Sequence, residues 1–244
     1  MQAMADSDLV KGAMKKTTGA HSGKPQRRGT MSESSRPATF SKLGKELAEI
    51  GRGFYARGWV FGTSGNFSGV VSREPLRLAI TATGLDKGRL APEHFLEIDA
   101  DLCVIRGNGK PSAEALLHLA IVRARNAGAV LHTHSVWSNV LSGAHAHAGG
   151  VAIQGYEMLK GLEGVQTHEH REWLPILENS QDMAALSEGV SKTLDAHPEI
   201  HGFLLRQHGL YTWGPSLDGA KRHVEILEFL MEAAVRSESF RKPS

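Results

Sequence analysis

The stretch Ala129-Val130-Leu131-His132-Thr133-His134 constrains this chain more than any other. It reads as a short buried β-strand that ends in two histidines. Side chains alternate along a strand, so Val130, His132 and His134 share one face while Leu131 and Thr133 point the other way. Two imidazoles at i and i+2 on a stiff element are a preorganised half of a metal site. Zinc takes His nitrogen at roughly 2.0–2.1 Å, and a catalytic site has three protein ligands and an open position. The same spacing recurs at His145-Ala146-His147 and at His168-Glu169-His170. The first lies among Ser, Gly and Ala and reads as a mobile loop. The second lies beside Arg171 and Glu172 and reads as a surface turn. Only His132 and His134 follow an apolar run.

The flanking chain alternates helical and extended patterns. Leu43, Leu47, Ile50, Phe54 and Tyr55 recur at helical spacing, which predicts a helix over 39–57 capped by Thr39 or Ser41. Gly62-Thr63-Ser64-Gly65-Asn66 is either a cradle of backbone N–H groups for a phosphate or an ordinary turn before a strand. Leu76 to Thr81 reads as a strand that runs into a second small polar loop, Ala82-Thr83-Gly84-Leu85-Asp86. Phe95–Asp99 and Leu102–Arg106 read as a hairpin. Ser112 is the expected cap of a helix from Ala113 to Asn126. Glu114, in its first turn, either complements the helix dipole or is a functional carboxylate, and His118 one turn on is expected behind the site or in the core. Gly155 to Gly161 reads as a turn or short helix carrying Glu157. Gly202 to Gly214 reads as two strands meeting at His208-Gly209, a third histidine at the end of an apolar run. Met183–Ala196 and Leu217–Val235 read as helices.

Composition narrows the classes. The 244 residues, 41% hydrophobic and 22% charged, suit one compact domain with a tail. A single cysteine, Cys103, excludes an internal disulfide framework and fits a reducing cytoplasm. No apolar run approaches the roughly 20 residues of a membrane span, and no leader-like apolar core opens the chain. The net charge of +2 is unevenly spread: residues 1–36 carry seven Lys or Arg against three Asp or Glu. Residues 1–38 read as a disordered basic tail, either an extension ahead of Met31 or an arm for nucleic acid. The rest has no basic stripe, so neither a nucleic acid nor a membrane is an expected partner.

Five ordered motifs then carry a resemblance: Gly62-Thr63-Ser64-Gly65-Asn66, Thr83-Gly84, Pro111-Ser112-Ala113-Glu114, His132-Thr133-His134 and Gln207-His208-Gly209. Together they resemble the class II aldolase/adducin family over about residues 40–236. The resemblance implies an α/β fold, a three-layer α/β/α sandwich around a mainly antiparallel sheet, over a catalytic domain 39–240. It implies one Zn2+ per subunit on His132, His134 and His208, a sugar phosphate held by Gly65, Asn66, Thr83, Gly84 and Ser112, and a homotetramer with sites near subunit boundaries.

The aldolases carry Ser where this chain has Ala113. The stretches Pro-Ser-Ala-Glu-Ala-Leu-Leu-His, Leu-His-Thr-His-Ser and Gln-Gly-Tyr-Glu-Met-Leu-Lys-Gly-Leu instead resemble the methylthioribulose-1-phosphate dehydratases of methionine salvage. That branch implies a hydro-lyase acting on a 2-ketose 1-phosphate, with Glu157 as acid/base and Glu114 near the substrate. Residue pattern alone favours Glu114. Two other readings are a phosphosugar aldolase or epimerase of the fuculose/ribulose phosphate type, and a non-catalytic adducin-like interaction domain.

Overall fold

The computed structural model describes residues 36–240. The basic-tail reading concerns residues 1–38, of which 1–35 lie outside the described part. The first helix, α1 (Arg36–Ala56), begins earlier than the periodicity suggested, so Thr39 and Ser41 lie inside it rather than capping it. Leu47, Ile50 and Phe54 are buried along it, whereas Tyr55 is exposed.

Nine strands form one sheet: β1 (Asn66–Arg73), β2 (Leu76–Thr81), β3 (Phe95–Asp99), β4 (Val104–Arg106), β5 (Ala129–Thr133), β6 (Gly150–Gln154), β7 (Arg171–Leu177), β8 (Gly202–Leu205) and β9 (Gly209–Gly214). Their order is β4-β3-β2-β1-β5-β9-β8-β7-β6. Every pairing is antiparallel except β7 with β8. The other helices are α2 (Ala115–Arg125), α3 (Val136–His145), α4 (Met183–Ala196) and α5 (Leu217–Phe240).

Alternation along β5 sorts the layers. Val130 packs with Leu117 and Ile121 of α2 and Val190 and Leu194 of α4 on one face. Ala129 and Leu131 pack with Leu47 and Phe54 of α1 and Val224 of α5 on the other. Leu141 of α3 joins Leu227 and Leu230 of α5 over Leu204 and Leu210. The expected α/β/α sandwich is therefore present. Since β5 is central and pairs with β1 and β9, its C-terminal histidines emerge in the middle of the sheet rather than at an edge.

Two local readings differ. His145 ends α3 and Ala146–Ala148 forms a short 3-10 turn, so His145-Ala146-His147 is not an irregular loop. The helix after Pro111-Ser112 starts at Ala115, with Glu114 still outside it. Ser112 accepts a hydrogen bond from the Glu114 N–H through its hydroxyl at 3.3 Å, forming a turn ahead of the helix rather than its cap. Among the described residues no helix is long and apolar enough to cross a membrane.

Candidate metal centre

The register of the three central strands builds the site. Asn66 of β1 stands opposite His132 of β5, which stands opposite Tyr211 of β9. The His132 ring stacks on Tyr211, with centroids 3.8 Å apart and planes 13° apart. Its Nδ1 donates to the Leu210 carbonyl at 2.9 Å, which leaves Nε2 without a proton in the neutral ring. His134 follows the strand directly and is held by its N–H donating to the Trp59 carbonyl at 2.8 Å. Ser135 then caps α3 by accepting from the Ser138 N–H, so the chain leaves the site at once.

His208 enters from the turn between β8 and β9. Its Nδ1 donates to Asn179 Oδ1 at 3.2 Å, and its carbonyl accepts from Asn139 Nδ2 at 3.0 Å. Only glycine fits after it: a Cβ on Gly209 would stand 2.0 Å from the Thr133 carbonyl oxygen and 2.9 Å from the His132 ring. Gly65, at φ +76°, is similarly confined, because a Cβ there would meet the His132 carbonyl oxygen at 2.7 Å.

The three Nε2 atoms converge. His134 and His132 Nε2 are 2.7 Å apart and His132 and His208 Nε2 are 3.4 Å apart. Glu114, at the start of α2 on the same face as His132, places Oε1 at 3.1 Å from His208 Nε2 and 3.6 Å from His132 Nε2. The ligand atoms of all four residues lie within 4.8 Å of one another. Burial pushes the His132 ring down, and burial with the neighbouring rings takes His134 to about 2. Burial opposes ionisation of Glu114, yet the His132 and His208 rings outweigh it and hold the carboxyl well below the usual carboxylate range. Three ring nitrogens and a carboxylate oxygen turned toward one point form a donor set that a cation can occupy. That donor set fits a divalent ion.

A second set of contacts orients Glu114. Asn66 Nδ2 donates to Glu114 Oε2, so Asn66 Oδ1 is left as an acceptor. Burial drives His118 down to about 3, so its ring is neutral and Nε2 donates to that oxygen. Nδ1 of His118 then accepts from the Ser68 hydroxyl at 2.7 Å. His118 thus sits behind the site, as its sequence position suggested. On the opposite face Thr133 donates to the buried Glu228 carboxyl of α5 at 2.6 Å.

A cavity of about 210 Å³ adjoins the cluster. It is lined by His134, His208 and Glu114 together with all five residues expected to hold a phosphate: Gly65, Asn66, Thr83, Gly84 and Ser112. The Asn66 amide contacts Glu114 through Nδ2 and His118 through Oδ1. Sequence reasoning missed Lys87, which lines the same cavity. Its Nζ donates to the Thr63 and Leu85 carbonyls, each at 2.9 Å, and so ties the two polar loops together. Its only sequence signal is a lysine placed just after Thr83-Gly84.

Glu157 is not brought to the histidines within the chain. It opens a 3-10 turn, Glu157–Gly161, with 73% side-chain exposure, and its carboxylate meets Lys160 at 2.6 Å. It is absent from the lining of the cavity.

The chain is 43% identical over 196 residues to the methylthioribulose-1-phosphate dehydratase of Pseudomonas syringae pv. tomato, covering 80% of this chain and 95% of that one. It is 43% identical over 198 residues to the enzyme of the same name from Methylococcus capsulatus, covering 81% and 95%. Among solved structures it is similar to YgbL of Escherichia coli, a candidate aldolase/epimerase/decarboxylase, at TM-score 0.66 and 27% identity over 80% of this chain and 88% of that one. The fold is also that of the L-fuculose-1-phosphate aldolase of Thermus thermophilus, at TM-score 0.61 and 22% identity over 86% and 99%. The model of the class II aldolase and adducin N-terminal domain matches residues 45–235, and the chain belongs to that family.

Proposed function

We propose that this chain is a zinc-dependent hydro-lyase that dehydrates 5-methylthioribulose 1-phosphate to 2,3-diketo-5-methylthiopentyl 1-phosphate in methionine salvage, in the cytoplasm. One observation carries the reading: the cluster of three histidine nitrogens opens, through His134 and His208, into the cavity lined by the polar loops suited to a phosphate. The 43%-identical relatives of the same name support the substrate.

His132, His134 and His208 would hold the ion, with Glu114 beside them. A zinc ion held there would supply a Lewis acid for a C2 carbonyl, which would acidify the adjacent C3–H. Thr83, Gly84, Ser112 and Gly65 anchor the phosphate, and Lys87 supplies the cation facing it. Anchoring fixes C3 relative to the acid/base and removes an orientational cost. Glu157 takes the C3 proton, the C3–H electron pair forms C3=C4, and the C4–O bond breaks. The same carboxyl returns its proton to the departing hydroxyl, which leaves as water. The resulting enol ketonises to the diketone.

Because Glu157 is exposed and away from the cavity of its own chain, it acts in this reading across a subunit boundary of a homotetramer. Glu114, which does stand in the cavity, favours the second reading, a class II phosphosugar aldolase with Glu114 as acid/base. Incubation of the zinc-loaded protein with 5-methylthioribulose 1-phosphate separates the two. Loss of one water, followed by mass and phosphorus NMR and abolished by Glu157→Gln, is the expected result. Cleavage into two smaller fragments, with Glu157→Gln active, would replace the dehydratase by the aldolase.

A further inference from the structure

A second group of ring nitrogens and a carboxylate meets well away from the catalytic cavity. Glu172 of β7 is buried, with 1% side-chain exposure. Its Oε2 lies 2.9 Å from His170 Nε2 and 2.9 Å from His201 Nδ1, and its Oε1 accepts the His201 N–H at 3.0 Å. The ligand atoms of the three residues lie within 4.8 Å of one another.

The other nitrogen of His201 is already used. Nε2 donates to the Glu163 carbonyl at 2.8 Å. That bond turns Nδ1 toward the Glu172 carboxylate, the orientation a backbone carbonyl imposes on metal-bound histidines. Nδ1 and Oε2 stand 2.9 Å apart, a spacing that a shared proton fills and that a bound metal ion would take over. The carbonyl that sets this orientation is itself fixed: His223 Nε2 accepts from the Glu163 N–H at 3.1 Å, while His223 Nδ1 donates to the Trp213 carbonyl at 2.7 Å. His170 and His201 line a cavity of about 910 Å³, to which none of the catalytic residues contributes.

We propose that His170, Glu172 and His201 form a second metal site, for a divalent first-row transition ion of the zinc type. Two imidazoles and one carboxylate suit such ions rather than calcium or magnesium, and the cavity leaves further positions open to water or a small anionic ligand. The ion would tie β7 to the turn ahead of β8. The inference does not depend on the catalytic reading.

The test counts metal. Full-length protein stripped by chelation is titrated with Zn2+, and bound metal is measured after equilibrium dialysis. Two ions per chain are expected for the parent, one for His170→Ala and one for His134→Ala. His170 is partly exposed and its removal leaves the Glu172–His201 pair, so the variant should fold, which a metal-free thermal melt checks. As a second measure, Co2+ should give a visible absorption band in His134→Ala that disappears in His134→Ala/His170→Ala. Saturation of the parent at one ion per chain, or two ions in His170→Ala, would overturn the proposal and leave a proton as the cation between His201 and Glu172.

Discussion

Glu114 Oε1 stands 3.1 Å from His208 Nε2 and 3.6 Å from His132 Nε2, so one carboxylate oxygen faces two ring nitrogens. The contact between His208 Nδ1 and Asn179 turns Nε2 toward that oxygen, and the carboxyl is held well below the usual carboxylate range. Only the folded chain brings these donors together, so metal binding and folding are coupled. Chelation should lower the melting temperature and Zn2+ should restore it, with about 4 kcal/mol of stabilisation when free metal is 1,000 times Kd. His208→Ala should weaken zinc binding by at least about 100-fold, more than loss of a residue that only orients a ligand. Calorimetric titration with and without the substitution checks both.

Asn66 matters through Glu114. Asn66→Ala removes the donor to Glu114 Oε2 and leaves the His118 Nε2–H without its acceptor. Metal affinity should fall about 10–100-fold. Unfolding free energy should drop by about 1–3 kcal/mol, the cost of one buried unsatisfied donor. Urea melts with and without zinc separate the two effects.

Lys87 should report itself through pH. Burial lowers its pKa to about 8, against the opposing pull of Asp86 and Glu114. Below that value Lys87 brings an ammonium to the cavity, which under the proposed function attracts the substrate phosphate; above it the charge is lost. kcat/KM should therefore decline above about pH 8, chiefly through KM. Lys87→Met should raise KM about 10–100-fold at neutral pH and remove that alkaline limb.

Glu228 works in the opposite sense to an ordinary surface carboxylate. Burial raises its pKa from 4.5 to about 7, while hydrogen bonds from Ser135 and Thr133 offset part of the rise. The folded state therefore holds a proton that the unfolded chain has released between those values. Its contribution is fully present below about pH 4.5 and is lost as pH climbs through 7, a swing of about 3 kcal/mol. Glu228→Gln keeps the acceptor for Thr133 without the charge. It should be more stable than the parent at pH 8, with the gap closing toward pH 4.5 in denaturant titrations.

The location of Glu157 is open to subunit mixing. Glu157→Gln and His134→Ala should each be inactive alone. If Glu157 serves a neighbouring subunit, mixed oligomers regain activity because some sites draw an intact histidine set from one chain and an intact carboxylate from the next. Mixtures that stay inactive after verified exchange would show that Glu157 does not act across a subunit boundary.

What the sequence revealed follows from where the signal lay. The strand at 129–133 and the turn at His208-Gly209 were legible because an apolar run fixes alternation and hence the face of each histidine. The start of α2 was not, because Ser112 has the chemistry of a cap but uses it on the Glu114 N–H in a preceding turn. Lys87 was invisible because a lysine in a polar loop reads as solvated, and only the tertiary packing of two loops buries it. His170 and Glu172 were read as surface because of their charged neighbours. Their partner His201 lies on a distant segment, and no local pattern joins them. Glu157 drew its assignment from resemblance alone, and nothing in its surroundings within one chain would have suggested it.

The position of β9 in the sheet has a consequence for synthesis. His132 and His134 leave the ribosome well before His208, and Gly209–Gly214 must pair with β5 before the third ring can reach them. Between the synthesis of His134 and that of His208 a nascent chain therefore offers a metal only the two-histidine arm, a weak chelate open to exchange. Capture of the ion becomes effective only once β9 is in place, so metallation marks chains that have paired β9 with β5 and spares those that have not.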